Sequence, residues 1–159
     1  IKSTRHGTLN NGVLFSNYDC KLSGCYSFDG LDDFISVPSS GLQLSSALTW
    51  SGWIRKDGPQ PAGYGVFVNA VSGMSVSRLM MGDNGVLAQV YSGGGNHGAT
   101  PVSFAANVWH HVAYTYNSGY ARWYIDGVEF APLAQNNLPT GKAPIFFGIG
   151  LASFYLLPS

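Results

Sequence analysis

Three carboxylates fall within five residues of the segment from Ser27 to Pro38, which reads SFDGLDDFISVP. Asp29, Asp32 and Asp33 offer the oxygen ligands that calcium takes, and loop carbonyls can complete the roughly six to eight that this ion needs. A plain turn explains the same residues without a metal, because aspartate bonds its own backbone where a chain reverses. In that second interpretation Asp29 and Asp32 serve the turn and Asp33 is solvated. The sequence leaves both interpretations open.

A glycine-rich stretch from Gly93 to Gly98 contains Asn96 and His97 and matches the spacing G-x-G-x-x-G. A phosphate cradle of this kind needs a helix directly after the glycines. Strand-like sequence follows instead, so we interpret the match as accidental and predict a flexible loop at the rim of the fold. Ligands often contact such loops, which makes Asn96 and His97 candidate binding residues, although simple exposure also explains His97.

Aromatic side chains near predicted turns are a second set of candidate binding residues. Exposed rings stack on the apolar faces of sugars, while amides and hydroxyls fix the orientation of the ligand. The candidates are Tyr64, Tyr91, Tyr120 and Trp123. Packing in the core is the alternative for each of them, and it is the interpretation that we favour for the tryptophans inside predicted strands, which are Trp50, Trp53 and Trp109.

The two cysteines, Cys20 and Cys25, lie five residues apart. They can close a small loop as a disulfide, which suits an oxidising compartment, or remain as two free thiols. A structural zinc site is excluded here, because it needs about four nitrogen or sulfur ligands and this segment offers two.

Composition limits the class of protein. A chain of 159 residues is the size of one domain, and its 21 glycines favour many tight turns over long helices. Charged residues make up only 10% and the net charge is zero, so nucleic acid is not an expected partner. The sequence contains no apolar run long enough to span a bilayer, and membrane insertion is not expected.

Alternating apolar and polar residues, bounded by turn residues, predict strands and no helix. Asn11-Gly12 predicts a hairpin within residues 7–17. The clearest predicted strands are Leu48–Arg55, Val66–Val71, Ser75–Met81, Val86–Tyr91, Trp109–Tyr116 and Tyr120–Ile125. The last two form a predicted hairpin, and a tight turn at Asp126-Gly127 leads into Val128 to Phe130.

Three segments in order, SFDGLDDFISVP, LTWSGWIRKDG and WHHVAYTYNSGYARWYIDGVEF, resemble the laminin G-like, concanavalin A-like domains of the lectin and glucanase family. This resemblance implies an all-β, two-sheet antiparallel jelly-roll sandwich in a secreted, cell-surface or virion-surface protein. It also implies carbohydrate binding, and calcium at the rim, where Asp29, Asp32 and Asp33 are the candidate ligands.

The family usually has one strand before the position of His6 to Leu9 and an acidic strand after the position of Ile145 to Gly150. Neither is recognisable here, so we expect residues 1–159 to be a single domain without those strands, as a piece of a longer chain would be. The alternative is an assembly module, in which a neighbouring subunit pairs with the open edge of the sheet.

Glycoside hydrolysis is the enzymatic alternative, since some glucanases resemble this fold. It needs two carboxylates flanking the bond, and the family motif is Glu-x-Asp-x-x-Glu. Glu129 is the single glutamate of the chain, so that motif is absent. The sequence therefore predicts a non-catalytic extracellular binding module whose partner is a glycan. The alternative is a structural or adhesive module that contacts protein neighbours through its sheet edge.

Overall fold

The computed structural model describes residues 7–38, 43–44, 47–57, 64–72, 75–82, 85–92, 95–98, 105–117, 120–134, 141–142 and 145–149. Every regular element in these ranges is a β-strand. The strands are β1 Thr8–Asn10, β2 Leu14–Ser16, β3 Cys25–Ser27, β4 Phe34–Val37, β5 Gln43–Leu44, β6 Ala47–Arg55, β7 Tyr64–Ser72, β8 Ser75–Gly82, β9 Gly85–Ser92, β10 Gly95–Gly98, β11 Trp109–Asn117, β12 Tyr120–Ile125, β13 Val128–Ala134, β14 Gly141–Lys142 and β15 Ile145–Ile149.

Two antiparallel sheets form the jelly-roll sandwich predicted from the sequence. The large sheet has seven strands in the order β1-β4-β15-β7-β8-β9-β10, and the small sheet has four in the order β13-β12-β11-β6. Two further pairs, β2 with β3 and β5 with β14, stand outside these sheets. The predicted succession of β7, β8 and β9 and the predicted hairpin of β11 with β12 are both confirmed.

The predicted hairpin at Asn11-Gly12 is wrong, although the turn itself forms. Asn11 and Gly12 have φ angles of 64° and 126°, in the region that favours asparagine and glycine. The strands on either side do not pair with each other, because β1 pairs with β4 and β2 pairs with β3. The turn therefore moves the chain from the edge of the large sheet to a separate two-stranded ribbon.

The prediction of a flexible loop over the glycine-rich stretch is also wrong in part. Residues 95–98 form β10, which pairs with β9 from Gly95 opposite Ser92 to Gly98 opposite Gln89. Backbone pairing supplies the hydrogen bonds that hold such a segment extended even where glycine has low strand propensity. The predicted rim loop is thus in part the last strand of the large sheet.

The described core contains Phe28, Ile54, Tyr114 and Cys25 as its most completely buried side chains. Phe28 follows β3 and packs against β15 at Gly148, where a Cβ atom would collide with the phenyl ring. Gly148 also has φ of 87°, so both its space and its backbone favour glycine. The corner between β3 and β4 is thereby fastened to the large sheet.

Other predicted features lie outside the described residues. They include the central part of the predicted loop from Lys56 to Gly65, of which the structure shows Lys56, Asp57 and the first residues of β7, and the apolar end of the chain at residues 151–159. In the part of the chain that is described, no helix has the length and apolar character needed to cross a bilayer.

Candidate functional site

The acidic corner, residues 28–33, connects the two-stranded ribbon of β2 and β3 to the large sheet. β3 ends at Ser27 and β4 begins at Phe34, and the six residues between them form a bend with Gly30 at φ of 84°. One carboxylate oxygen from each of Asp29, Asp32 and Asp33 lies within 4.8 Å of the other two. The predicted cluster is therefore a cluster in space.

Hydrogen bonds within the corner assign a different task to each aspartate. Asp29 Oδ1 accepts a bond from the Leu31 N–H at 2.8 Å, as expected for an aspartate that supports a turn. The main-chain oxygen of Asp32 accepts the Asn11 side-chain amide at 2.9 Å. Asp33 Oδ2 accepts the Asp29 N–H at 2.9 Å. The corner is thus bound both to itself and to the preceding turn.

Asp33 differs from a solvated turn residue, since it is only 3% exposed. Its Oδ1 atom is buried and has no hydrogen-bond partner among the described residues. Burial raises the pKa of Asp33, the Asp29 N–H lowers it, and the charges of Asp29 and Asp32 raise it again. The net direction of the pKa shift is upward, so ionisation of Asp33 is less favourable in the folded protein than in the unfolded chain. The plain-turn interpretation, in which Asp33 is solvated, is wrong on this point.

These residues fit a hard cation such as calcium. The orphaned Oδ1 atom of Asp33 lacks the partner that a buried oxygen needs, and Asp29 and Asp32 place two exposed carboxylates beside it. Carboxylate and carbonyl oxygens are the ligands that calcium prefers. If calcium binds this protein, Asp29, Asp32 and Asp33 are the residues that would hold it.

The predicted sugar-contacting residues do not form one cluster. Gly82 and Val76 occupy positions on the same face of β8, because they are six positions apart and side chains alternate between faces with a period of two. Tyr64 is paired with Gly82, Tyr91 with Val76 and Asn96 with Tyr91, so these three candidates occupy positions on one face of the large sheet. We call it the outer face, since it also holds Ser36 and lies opposite the buried Ile35.

The other three candidates lie elsewhere. His97 is the neighbour of Asn96 and pairs with Val90, so its position falls on the opposite face of the large sheet. Tyr120 is in the small sheet, where it pairs with Asn117 and Ala134.

The prediction that Trp123 contacts a sugar is wrong, because its side chain is buried, with 3% exposed, and its ring centroid lies 4.4 Å from that of Tyr114. The indole belongs to the core and offers no surface for a sugar.

Cys20 and Cys25 form a disulfide in the structure, with the two sulfurs 2.01 Å apart. The loop that it closes lies against the small sheet, with Lys21 Nζ 4.6 Å from the centre of the Trp53 ring. The rings of Trp53 and His111 in turn form a T-shaped contact at a centroid distance of 5.3 Å. The half-buried Trp53 therefore supports the disulfide loop.

An ion-pair network centred on the buried Arg55 lies beside this loop and was not predicted. Arg55 in β6 is 7% exposed and donates from Nε and Nη2 to the two carboxylate oxygens of Asp57, at 2.6 and 2.9 Å. Its Nη1 also contacts Asp19 Oδ2 at 2.9 Å. Hydrogen bonds to Asp57 raise the pKa of Arg55, burial opposes them, and Asp19 adds to the increase. The spacing of Arg55 and Asp57, two apart at a strand end, is a local signal that the sequence did contain.

A histidine and an aspartate meet at the turn that follows β12. His110 Nδ1 lies 2.7 Å from Asp126 Oδ2, and the His111 N–H donates to Asp126 Oδ1 at 2.8 Å. Burial alone would raise the pKa of Asp126, but these two bonds outweigh it and the pKa is lowered. The pair fastens the turn at φ-positive Asp126 and Gly127 to strand β11.

A sequence profile of the laminin G type, described as the concanavalin A-like lectin/glucanases superfamily, matches residues 28–152. The chain belongs to this family, as the three sequence segments predicted. No curated protein matches the sequence significantly.

Solved structures share the fold at low sequence identity. The binding domain of botulinum neurotoxin serotype D superposes with a TM-score of 0.78 and 15% identity, over 96% of this chain and 41% of that one. A structure of botulinum neurotoxin type C, whose cell entry is described as dependent on interaction with two ganglioside molecules, superposes with a TM-score of 0.73 and 14% identity, over 96% of this chain and 41% of that one. The carbohydrate-binding module CBM66 of Bacillus subtilis superposes with a TM-score of 0.61 and 15% identity, over 94% of this chain and 91% of that one. This chain thus spans about two fifths of the toxin domains but nearly all of CBM66.

Proposed function

We propose that this protein is a non-catalytic module that binds carbohydrate. The observation that carries the proposal is the match with CBM66, in which one complete binding module superposes on nearly the whole of this chain, with 94% of this chain and 91% of that one covered. The type C toxin, which interacts with gangliosides, has the same fold over 96% of this chain and supports the same class of ligand. Because a fold alone hosts many functions, binding itself has to be measured.

The acidic residues of the chain support binding without hydrolysis. Glu129 is the single glutamate, and its carboxylate contacts Arg122 at 3.2 Å on an exposed part of the small sheet. A glycosidase of this fold needs a second carboxylate across the bond. Asp33, the acidic residue buried among the described residues, belongs instead to the corner between β3 and β4. We also propose that residues 1–159 form a single domain, as their number suggests. An extracellular location is part of the proposal, since disulfides such as Cys20–Cys25 persist in oxidising compartments.

A protein partner is the second candidate function. Within the described residues β1 is an end strand of the large sheet, and such a strand can accept a further strand from a neighbour. The adjoining ribbon and disulfide loop expose Leu14, Tyr18 and Leu22 to solvent. An adhesive or assembly role would use this edge and these apolar side chains.

A glycan array measured with and without a chelator tests the main proposal. We expect selective binding to a subset of glycans, and a uniformly blank array would contradict carbohydrate binding. Sedimentation of the same preparation over a range of concentrations separates the second candidate. Assembly predicts mass that rises with concentration, whereas a monomer at every concentration with full β-structure would rule the assembly role out.

We further propose that the acidic corner binds calcium and that calcium stabilises the sandwich. The raised pKa of Asp33 means that the folded state holds this proton more tightly than the unfolded chain does. The contribution of Asp33 to stability is therefore complete when the pH is below its pKa of 3.8 in the unfolded chain. It is lost as the pH rises through the higher pKa that Asp33 has in the folded protein. Above that pH a bound cation would supply the missing compensation.

Asp33→Asn tests the calcium proposal through thermal stability at neutral pH. Without calcium we expect the variant to be at least as stable as the parent, because it removes an uncompensated buried charge and keeps an acceptor for the Asp29 N–H. Calcium at a hundredfold excess over its Kd should stabilise the parent by about 2.7 kcal/mol and leave the variant unchanged. Asp19→Asn, outside the corner, is the matched control and should respond as the parent does. An equal calcium response in parent and Asp33→Asn would show that the corner is only a turn.

A further inference from the structure

The register of the large sheet places a row of mostly polar residues across its outer face. Ser36 pairs with Phe146, Phe146 with Asn69, Asn69 with Arg78, Arg78 with Gln89, and Gln89 with Gly98. Directly paired residues of antiparallel strands share a face of the sheet. We call this set the polar row; its members are Ser36, Phe146, Asn69, Arg78, Gln89 and Gly98.

The neighbouring row on the opposite face has a different composition. It runs from Ile35, which is buried, through the paired positions of Phe147, Val68, Leu79 and Ala88. Every residue in it is apolar, as a face that packs against the other sheet requires. The contrast places the polar row on the face of the large sheet opposite the apolar row.

A second row on the outer face, formed by Val76, Tyr91 and Asn96, runs beside the polar row in β8, β9 and β10. Tyr91 pairs with Asn96 and with Val76, and it is two residues from Gln89 in β9. Two residues predicted from the sequence as sugar contacts therefore adjoin Arg78 and Gln89. With strands about 4.8 Å apart, the positions from Phe146 to Gln89 cover roughly 14 Å, enough for a short oligosaccharide.

The strands of the large sheet carry a positively charged arginine and no carboxylate side chain. The seven strands of the large sheet contain no aspartate and no glutamate, and Arg78 is their single lysine or arginine. Arginine recognises carboxylate and sulfate groups by paired hydrogen bonds, while asparagine and glutamine bond hydroxyls in both directions. The set therefore matches a saccharide that carries an acidic group.

We infer that the polar row is the carbohydrate-binding surface and that it takes an acidic saccharide, with Arg78 at the position of the acidic group. The inference rests on the proposed function and adds its location and ligand class. Phe146 in the polar row and Tyr91 in the neighbouring row supply aromatic residues on which sugar faces can stack. The calcium corner is a separate structural element in this proposal.

The test is an array that presents each oligosaccharide in neutral, sialylated or uronic acid-containing, and sulfated form. We expect the parent to prefer the acidic forms, and the carboxylate and sulfate spots identify which acid is bound. Arg78→Gln should weaken binding to the acidic form at least about tenfold, the change expected for the loss of a charge-assisted hydrogen bond, with little effect on the neutral form. Gln89→Ala should weaken both forms.

Two further variants control for charge and for folding. Arg122→Gln removes the same charge from the small sheet and should bind as the parent does, because Arg122 is exposed beside Glu129. Arg78→Lys retains the charge and should keep more of the acidic preference than Arg78→Gln. Raising the salt concentration should weaken acidic binding by the parent and affect Arg78→Gln less.

The outcomes separate this inference from the proposed function. If acidic binding by Arg78→Gln equals that of the parent, or if neutral glycans bind as well as acidic ones, the inference is overturned while carbohydrate binding stands. If the parent binds no glycan at all, the proposed function itself fails and this inference fails with it.

Discussion

Replacement of Trp123 by alanine is expected to lower the free energy of unfolding by about 3–5 kcal/mol, the usual cost of removing a buried indole. The ring is almost fully enclosed and meets Tyr114 in the middle of the small sheet. The loss combines transfer free energy with a cavity that the paired strands on both sides of β12 prevent from collapsing. Denaturant unfolding of the purified protein measures the change.

Trp123→Phe and Arg122→Ala make this prediction specific. The phenylalanine variant keeps much of the packing and removes an indole N–H that has no hydrogen-bond partner among the described residues, so it should cost less than alanine. Arg122 precedes Trp123 in the same strand but is exposed, and its replacement should change stability by no more than about 0.5 kcal/mol. If Trp123→Ala unfolded with the stability of the parent, the indole would not be a core residue.

Local sequence patterns were sufficient for the elements whose partners are close in the chain. Two residues separate β11 from β12 in the chain, and turn chemistry specifies their pairing directly. Alternation in Leu48–Arg55 likewise predicted β6, because one face of that strand is buried at Ile54. The same alternation would have placed Trp123 in the core, since the charged Arg122 beside it must face solvent.

Patterns failed where pairing is long-range. Asn11-Gly12 specifies a reversal of the backbone, but β1 pairs with β4, and that choice depends on contacts across the fold. The glycines of β10 carry no strand preference, and only the position of β9 beside them makes them a strand. In the acidic corner the three carboxylates were evident from the sequence, whereas the burial of Asp33 depends on the packing around it.

Asp57→Asn is expected to destabilise the protein by about 3 kcal/mol, because it leaves the buried guanidinium of Arg55 without its closest charged partner. The side chain of Arg55 is 8% exposed, so water cannot replace the two bonds that Asp57 accepts. The Trp109 ring, 5.3 Å from the guanidinium carbon, covers another part of it. Denaturant unfolding at neutral pH gives the magnitude.

Asp19→Asn is the matched comparison, since Asp19 contacts the same guanidinium. Its side chain is 76% exposed, so solvent screens the pair and the expected loss is about 0–1 kcal/mol. The main-chain oxygen of Asp19 still accepts Arg55 Nη1 at 3.2 Å in that variant, which keeps the disulfide loop on the small sheet. Equal losses of unfolding free energy for the two variants would contradict the expected difference between Asp57 and Asp19. Such a result would mean that Asp57 is not the main partner of the Arg55 charge. A large loss confined to Asp57→Asn would instead identify Arg55 as the buried charge on which the contact between the disulfide loop and β6 depends.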